Sequence, residues 1–577
     1  MTQTDIRPRP RADGDEGPHT PAAGTVSRRL RTGGEVLVDQ LLIHGVSNAY
    51  CVPGESYLAV LDALYGTRIA LTVCRQEGGA AMMAEASGKL TGRAGVCFVT
   101  RGPGASNAMH GLHIAQQDST PMVLFVGHVA RSAAGRDTFQ ELDYRAVFGT
   151  VAKWVEVIDD ARRVPELVAR AFRIAESGRP GPVVLALPED MLTDIVEVAD
   201  ATAVAPVETY PSADQVEAFA AMLAAAERPV AVLGGSRWSA EAVAGFTAFA
   251  EAASLPVYVS FRRQMLFPGS SPCYGGDMSL GANPAIAREI EAADLVILLG
   301  TRLSEVPSNH FTLLGIPVPR QKLVHVHPEP QEIGQIYTPT LGIAASPAAF
   351  VRALATVDPH APDAGRRSRT EAIHASYLAW SDPSGVTIPG ELQMGEVMAS
   401  LAGRLGPDTI FCNGAGNYAI WLHRFRRFER FGTQLAPTSG SMGYGVPAAV
   451  AAKTMRPDRT VVAFAGDGCF LMNGQEFATA VQYGLAFVVI LVDNTMYGTI
   501  RMHQERDYPG RVSGTGLKNP DFAAYARAFG GHGETVRTTA EFMPALERAL
   551  ASNLPAILHC HIAPEALSPT MRMAEPA

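Results

Sequence analysis

Short, almost wholly apolar runs rich in β-branched residues recur along almost the whole chain, alternating with longer alanine-rich stretches of helical character. They fall at residues 95–99, 122–126, 182–187, 229–233, 295–299, 323–326, 461–465 and 487–492, four to six residues apiece. Apolarity at nearly every position, rather than at alternate ones, means that both faces of such a strand are covered, and runs this short cannot be buried helices. Strand and helix in alternation make βαβ units and hence parallel sheets. The rhythm comes in three groups, which predicts an α/β chain of three doubly wound parallel-sheet domains.

Punctuation separates the groups. The first spans 31–200 and closes on Gly178-Arg179-Pro180-Gly181-Pro182 and the strand that follows; the second spans 213–358 and the third 389–565. A polar, proline-marked stretch at 204–212 reads as a linker, and so does 359–369, rich in Pro, Gly and Arg. Residues 1–30 carry Pro8, Pro10, Pro18 and Pro21 and lack the apolar core of a secretory signal, so a flexible tail is expected there. With 577 residues, three cores of ordinary size can form.

Composition narrows the function classes. A net charge of −9 offers no basic surplus for a phosphate backbone, so nucleic acid is not expected as a partner. No apolar run approaches the roughly 18 residues of a membrane helix. The cysteines, Cys51, Cys74, Cys97, Cys273, Cys412, Cys469 and Cys560, are scattered without a CxxC pair, which reads as reduced buried thiols and a cytoplasmic location.

The chemistry-bearing motifs sit at the ends of the apolar runs. Gly466-Asp467-Gly468 follows the run 461–465, so its glycines stand where a strand end lets backbone approach a ligand closely. Asn494 comes twenty-seven residues after Asp467, directly past the next run. Neighbouring parallel strands end on one edge of a sheet, so a carboxylate and an amide oxygen could share a hard cation there with diphosphate oxygens, Mg²⁺ being the obvious candidate. Either motif alone is more often a turn or a strand terminator. The spacing joins them.

At that spacing the chain resembles the thiamine-diphosphate enzyme family, and the resemblance implies that Asp467, Asn494 and the backbone carbonyl of Met496 ligate Mg²⁺. A distant element agrees. Arg75-Gln76-Glu77-Gly78-Gly79-Ala80-Ala81 opens an alanine-rich helix after residues 70–74, and Glu77 lies where the family places its cofactor-activating glutamate. Taken alone, Glu77 is a first-turn acid complementing the helix dipole. In the family such a carboxyl stabilises the imino tautomer of the aminopyrimidine, whose N4′ removes the thiazolium C2 proton. Ser439-Gly440-Ser441-Met442-Gly443-Tyr444-Gly445 resembles the family segment in which an apolar side chain props the bent cofactor and a carbonyl receives its 4′-amino group, roles that fall to Met442 and Gly440. Asn413-Gly414-Ala415-Gly416-Asn417 would add backbone donors to the diphosphate from Gly414, Gly416 and Asn417, beside Gly466 and Gly468.

Within that family the chain is most similar to the large subunit of acetolactate synthase, over about residues 31–565. Thr91-Gly92-Arg93-Ala94-Gly95, Gly102-Pro103-Gly104-Ala105-Ser106-Asn107 and Asp137-Thr138-Phe139-Gln140-Glu141 carry the likeness. It implies that Phe139 and Gln140 approach the cofactor from a partner subunit and that Lys153 lines the entrance. There are departures. Tyr497-Gly498-Thr499-Ile500-Arg501-Met502-His503-Gln504 stands in place of a Gln-Gly-Met-Val-x-Gln-Trp-Gln segment, so His503 replaces the tryptophan that shapes the acceptor pocket, and Arg501 is a candidate for a substrate carboxylate. In the middle group, Arg302-Leu303-Ser304-Glu305-Val306 and His325-Val326-His327-Pro328 replace the patterns that accompany FAD, which weighs against that cofactor.

The resemblance implies a pyrimidine-binding, a central and a diphosphate-binding domain in a homodimer or homotetramer, with thiamine diphosphate and Mg²⁺ acting on a small 2-oxo acid. Decarboxylation followed by carboligation is the leading reading; a decarboxylase or aldehyde lyase with the same cofactor is its alternative. An inactive regulatory paralogue would have lost Glu77, Asp467 or Asn494, and all three are present. Donor, acceptor and any regulatory subunit are not legible.

Overall fold

The computed structural model describes residues 29–359 and 362–571. The first domain holds β1 (Leu30–Thr32), β2 (Asn48–Cys51), β3 (Ala70–Val73), β4 (Gly95–Val99), β5 (Met122–His128), β6 (Trp154–Val157), β7 (Pro182–Pro188) and β8 (Ile195–Glu197). Six of them form a parallel sheet in the order β3-β2-β4-β5-β7-β6, and β1 pairs antiparallel with β8. That ribbon ties the two ends of the domain together, and the buried Arg31 strengthens it through Asp200 Oδ1 at 2.8 Å and the carbonyl of Val198 at 2.9 Å. Residues 1–28, most of the expected tail, lie outside the described residues; Leu30 already belongs to β1.

The middle domain holds β9 (Pro229–Leu233), β10 (Val257–Ser260), β11 (Tyr274–Met278), β12 (Leu295–Leu299), β13 (Lys322–His327) and β14 (Leu341–Ala344), in the order β11-β10-β9-β12-β13-β14. The third holds β15 (Ile410–Asn413), β16 (Gln434–Leu435), β17 (Val461–Gly466), β18 (Val488–Asp493), β19 (His532–Val536) and β20 (Ala556–His561), in the order β16-β15-β17-β18-β20-β19. Every pairing in these two sheets is parallel too. Counted from its own first strand, the third sheet repeats the order of the first, while the middle sheet follows another. The eight apolar runs are eight of these strands, displaced by at most two residues at an end.

One expectation fails. The stretch 359–369 is not a linker throughout, because the helix Ala364–Trp380 begins inside it. Asp363 caps that helix by accepting the Arg366 N–H at 2.7 Å, and its arginines hold the middle domain: Arg366 donates to the Ala226 carbonyl, and Arg369 pairs with Glu289 at 3.0 Å. Ile373 and Tyr377 of this helix are buried in the middle domain's cores.

The first and third domains share one core. The helix Glu77–Thr91 packs on the helix Gly445–Met455, with alanines of both facing helices in the common cluster, which lets the backbones come close. Polar contacts cross the same seam. Buried Glu85 accepts the Tyr444 hydroxyl at 2.5 Å, and buried Glu476 accepts the N–H groups of Arg75 and Gln76, each at 3.0 Å. All seven cysteines are buried and unpaired. Among the described residues no helix is long and apolar enough to cross a membrane.

Candidate active site

Parallel sheets open a crevice past their C-terminal edge where the strand order reverses. In the third sheet that point lies between β15 and β17, and a cavity of about 240 Å³ occupies it. The segments following β15, β16, β17 and β18 converge there. Gly416, Asn417, Gly440, Met442, Gly466, Asp467, Gly468, Asn494 and Met496 all line it. Gly414 stands directly behind, where a Cβ would come within 2.5 Å of Cys469 Sγ.

Packing demands several of these glycines. A Cβ on Gly466 would stand 2.7 Å from the Tyr418 ring, and one on Gly468 would stand 2.6 Å from the Tyr497 ring. Gly440 has φ 67°, a left-handed conformation that other residues adopt at a cost. The Tyr418 hydroxyl accepts the Gly414 N–H at 3.1 Å and donates to Cys469 Sγ at 3.1 Å, and that sulfur also receives the Gly443 N–H at 3.2 Å. Three ligand-facing loops are thereby held by one tyrosine and one thiol.

Asp467 opens the helix Asp467–Asn473 and is buried. Burial, reinforced by the neighbouring Asp493 charge, pushes its carboxyl up to about 6. The Asn519 amide donates to Asp467 Oδ2 at 2.7 Å and to Asp493 Oδ1 at 2.9 Å. Asp493 is opposite in character: burial would raise it, but hydrogen bonds from His559, the Thr495 N–H and Asn519 bring it down to about 2. Thr495, at φ 58°, turns the chain sharply between Asn494 and Met496. That turn is clamped by the Leu517 N–H on the Thr495 carbonyl at 2.8 Å and the Tyr497 N–H on the Thr515 carbonyl at 2.9 Å.

A carboxylate, a side-chain amide and a backbone carbonyl around one cavity make an all-oxygen donor set, which suits Mg²⁺ rather than a softer ion. Glycine-lined backbone beside it leaves room for a diphosphate. The residues present fit both groups.

Glu77 is not in this cavity. It starts the helix Glu77–Thr91 past the corresponding edge of the first sheet, where its Oε2 accepts from Asn107 Nδ2 at 2.9 Å and Gly104 leaves space beside Oε1. Gln140 lies at the same edge, its carbonyl accepting the Gly102 N–H at 2.9 Å, and the adjacent Phe139 is 71% exposed. Each outer sheet therefore presents part of the expected set at the same end.

The entrance residues are placed differently. The Lys153 ammonium donates to the carbonyls of Ile174 at 2.6 Å and Ser177 at 2.8 Å, and burial lowers it to about 8. Within the chain it serves the helix Val164–Glu176, whose last carbonyls lack partners in their own helix. Arg501 and His503 lie on the helix Gly498–Asp507, none of whose residues is buried. Arg501 Nε pairs with Glu505 Oε1 at 2.8 Å, and His503 is exposed. The start of this helix touches the cavity, since Thr499 Oγ1 donates to Asn417 Oδ1 at 3.0 Å. In the middle domain Arg302 donates to the Gln117 carbonyl at 2.8 Å, and burial lowers His325 to about 4 and His327 to about 3.

Sequence reading missed Tyr418, Asp493, Asn519 and His559. Asn519-Pro520-Asp521 has the composition of an ordinary turn, and only the register of β18 with β20 reveals the contact of His559 Nε2 with Asp493 Oδ2 at 2.8 Å. His559 and His561, alternating at the end of an apolar run, were the one visible signal.

Known proteins resemble this chain in sequence. Residues 31–147, 216–354 and 414–560 match, in turn, the N-terminal TPP binding domain, the central domain and the C-terminal TPP binding domain of thiamine pyrophosphate enzymes. The chain is 32% identical to the acetolactate synthase large subunit of Corynebacterium glutamicum, over 92% of this chain and 88% of that protein. It is 31% identical to the acetolactate synthase isozyme 2 large subunit of Escherichia coli, over 92% and 95%. With three domains matched in order and relatives covered over most of their length, the chain belongs to the thiamine pyrophosphate enzymes, in the family of acetolactate synthase large subunits.

Proposed function

We propose that the chain decarboxylates a small 2-oxo acid and joins the acyl unit that remains to a second carbonyl compound, using thiamine diphosphate and Mg²⁺. The observation that carries the reading is the convergence of nine residues, singled out separately, on one 240 Å³ cavity. Asp467, Asn494 and the Met496 carbonyl would hold Mg²⁺ against the diphosphate, with Gly414, Gly416 and Asn417 offering backbone N–H groups. Gly440 and Met442 would seat the rings.

Bound thiamine diphosphate supplies a carbon nucleophile for the keto group and an electron sink for the departure of CO₂. Glu77 holds and returns a proton at its carboxyl, the one acid in the expected set placed for that work. Because it stands at the first sheet's edge and outside the cavity of its own chain, a second copy supplies it. The working unit is then at least a homodimer, with a tetramer formed by further symmetric contacts. Phe139 and Gln140 would reach the cavity of the other copy together with Glu77. Arg501 would take a substrate carboxylate by exchanging it for Glu505. The middle domain works without a flavin in this reading, consistent with Arg302 and His325 being spent on backbone carbonyls and His327 Nδ1 accepting the Glu329 N–H. A cytoplasmic location accords with the unpaired buried thiols.

The test is protein loaded with thiamine diphosphate and Mg²⁺ and given 2-oxo acids beginning with pyruvate, with CO₂ and products followed by mass spectrometry. A product carrying a new carbon-carbon bond is expected. CO₂ with free aldehyde alone would overturn carboligation in favour of a simple decarboxylase, the reading that His503 in the acceptor segment keeps open.

A further inference from the structure

In the middle sheet the strand order reverses between β9 and β12. Past the C-terminal ends of β9, β10 and β12 lies a chamber of about 530 Å³, completed by segments of the first and third domains. Ala415, Gly416, Asn417, Gly440 and Thr499 line both this chamber and the cofactor cavity. Three of these five are glycine or alanine, so the shared wall is thin, and it includes Gly440, which would seat the cofactor's rings. Thr499 belongs to the unburied helix Gly498–Asp507, so its 3.0 Å bond to Asn417 is the part of the wall best able to open.

The charge of the chamber's lining is uneven. Arg262, Arg263 and Arg302 line it, against Asp118 and Glu305. Asp118 is already matched, since it pairs with Lys89 and accepts the Thr438 N–H at 2.7 Å, and the exposed Glu305 stands 3.1 Å from His310 Nδ1. Arg263 is spent on the carbonyls of Gly235, Arg262 and Asp118, each at 3.1 Å. Arg262 is not spent. It is 3% exposed; its Nη1 donates to the Pro437 carbonyl at 2.5 Å, its buried Nε has no partner, and among the described residues it forms no ion pair. Burial works against its charge, lowering its pKa. A buried cation without a counter-ion is costly, and an anion on the guanidinium would offset that cost. The backbone at Arg262 also lies at φ 57°, a strained conformation of the sort that gathers at ligand sites.

We infer that the chamber receives the acceptor substrate and that Arg262 holds an acid group on it, a carboxylate or a phosphate, remote from the carbonyl that reacts. This rests on the proposed carboligation and names the class of its second substrate. Arg262 lines the chamber and not the cofactor cavity, so the acid group stands on the chamber side while the carbonyl meets the cofactor. A simple 2-oxo monoacid carries its carboxylate next to its carbonyl and would leave Arg262 unpaired. A planar guanidinium suits either acid group, because its N–H donors match the spacing of carboxylate and phosphate oxygens.

Protein loaded with thiamine diphosphate and Mg²⁺ is given a 2-oxo acid donor and acceptors in matched pairs, 4-oxobutanoate against butanal and glyceraldehyde 3-phosphate against glyceraldehyde, and kcat/KM is measured for each acceptor. An anionic acceptor should be favoured over its neutral twin by roughly 10- to 100-fold, the worth of a charged hydrogen bond. That preference is lost in Arg262→Met and partly regained in Arg262→Lys, and the pair that shows it names the acid group. Equal use of both members of both pairs, or a preference that Arg262→Met keeps, overturns the assignment. CO₂ release in the same vessel judges the decarboxylation reading separately. If no donor releases CO₂, that reading falls, and calorimetric binding of the same acceptors decides the chamber: tighter binding of an anionic member that needs Arg262 supports it, and binding indifferent to charge or to Arg262 refutes it. The wild-type comparison needs no variant and Arg262→Lys keeps the charge, so a misfolded methionine variant leaves the test intact.

Discussion

At the scale of single residues, the division of labour between carboxyl groups is the main result. Asp467 faces an open cavity with its carboxyl raised by burial, whereas Asp493, a hydrogen bond from the same Asn519, is held low by His559 and the Thr495 N–H. Asn519 thus orients the carboxylate proposed to hold Mg²⁺ without itself lining the cavity. Asn519→Ala should weaken Mg²⁺-dependent cofactor binding by roughly 10- to 100-fold, as loss of an outer-shell partner commonly does, and calorimetric titration of thiamine diphosphate at fixed Mg²⁺ measures it. Glu77→Gln should behave oppositely. Binding is retained, while exchange of the cofactor's C2 proton, followed by NMR, slows by roughly 10²- to 10⁴-fold. Unchanged exchange would remove Glu77 from its assigned role.

At the scale of elements, the seam between the helices Glu77–Thr91 and Gly445–Met455 decides how the first and third domains sit on each other. Gly79 is its tightest point on the first helix's opening turn: a Cβ there would stand 2.7 Å from Glu476 Oε1, a buried group fixed by the Arg75 and Gln76 N–H groups and by Thr479 Oγ1 at 2.6 Å. Because the acid cannot move without giving up those bonds, Gly79→Ala should destabilise the chain by about 1–3 kcal/mol. Urea unfolding reports this as a lower midpoint at unchanged slope. The helix Ala364–Trp380 teaches a related lesson. Its Pro- and Arg-rich opening looks like a linker, but Asp363 caps it and its arginines find carbonyls and Glu289 on the middle domain. Composition marks where a chain can be exposed, and a cap with two tertiary partners can still make it helical.

At the scale of the molecule, the half-site proposed for each outer domain would make catalysis a property of the assembly. If Glu77 and Asp467 of one working site come from different copies, two inactive variants should complement each other. Glu77→Gln and Asp467→Asn, each dead alone, would give about a quarter of the wild-type activity after random mixing, because half the dimers are mixed and each mixed dimer holds one intact site of two. Absence of recovery, with mixed dimers verified by mass spectrometry, would place both residues in a site made by a single chain.

The sequence by itself determined the eight most apolar strands, the class of fold and the glycine-rich loops, because each rests on local chemistry: runs apolar almost throughout need cover on both faces, and glycines after a strand mark close backbone approach. Gly466, Asp467 and Asn494 were legible for that reason. Tertiary structure alone decided which loops share a cavity, that Glu77 stays outside the cavity of its own chain, and that Lys153 donates to the Ile174 and Ser177 carbonyls. It also decided the contacts of Asn519 and His559 with Asp493. These depend on strand order and on the register between strands distant in sequence, and neither is written in the spacing of residues along the chain.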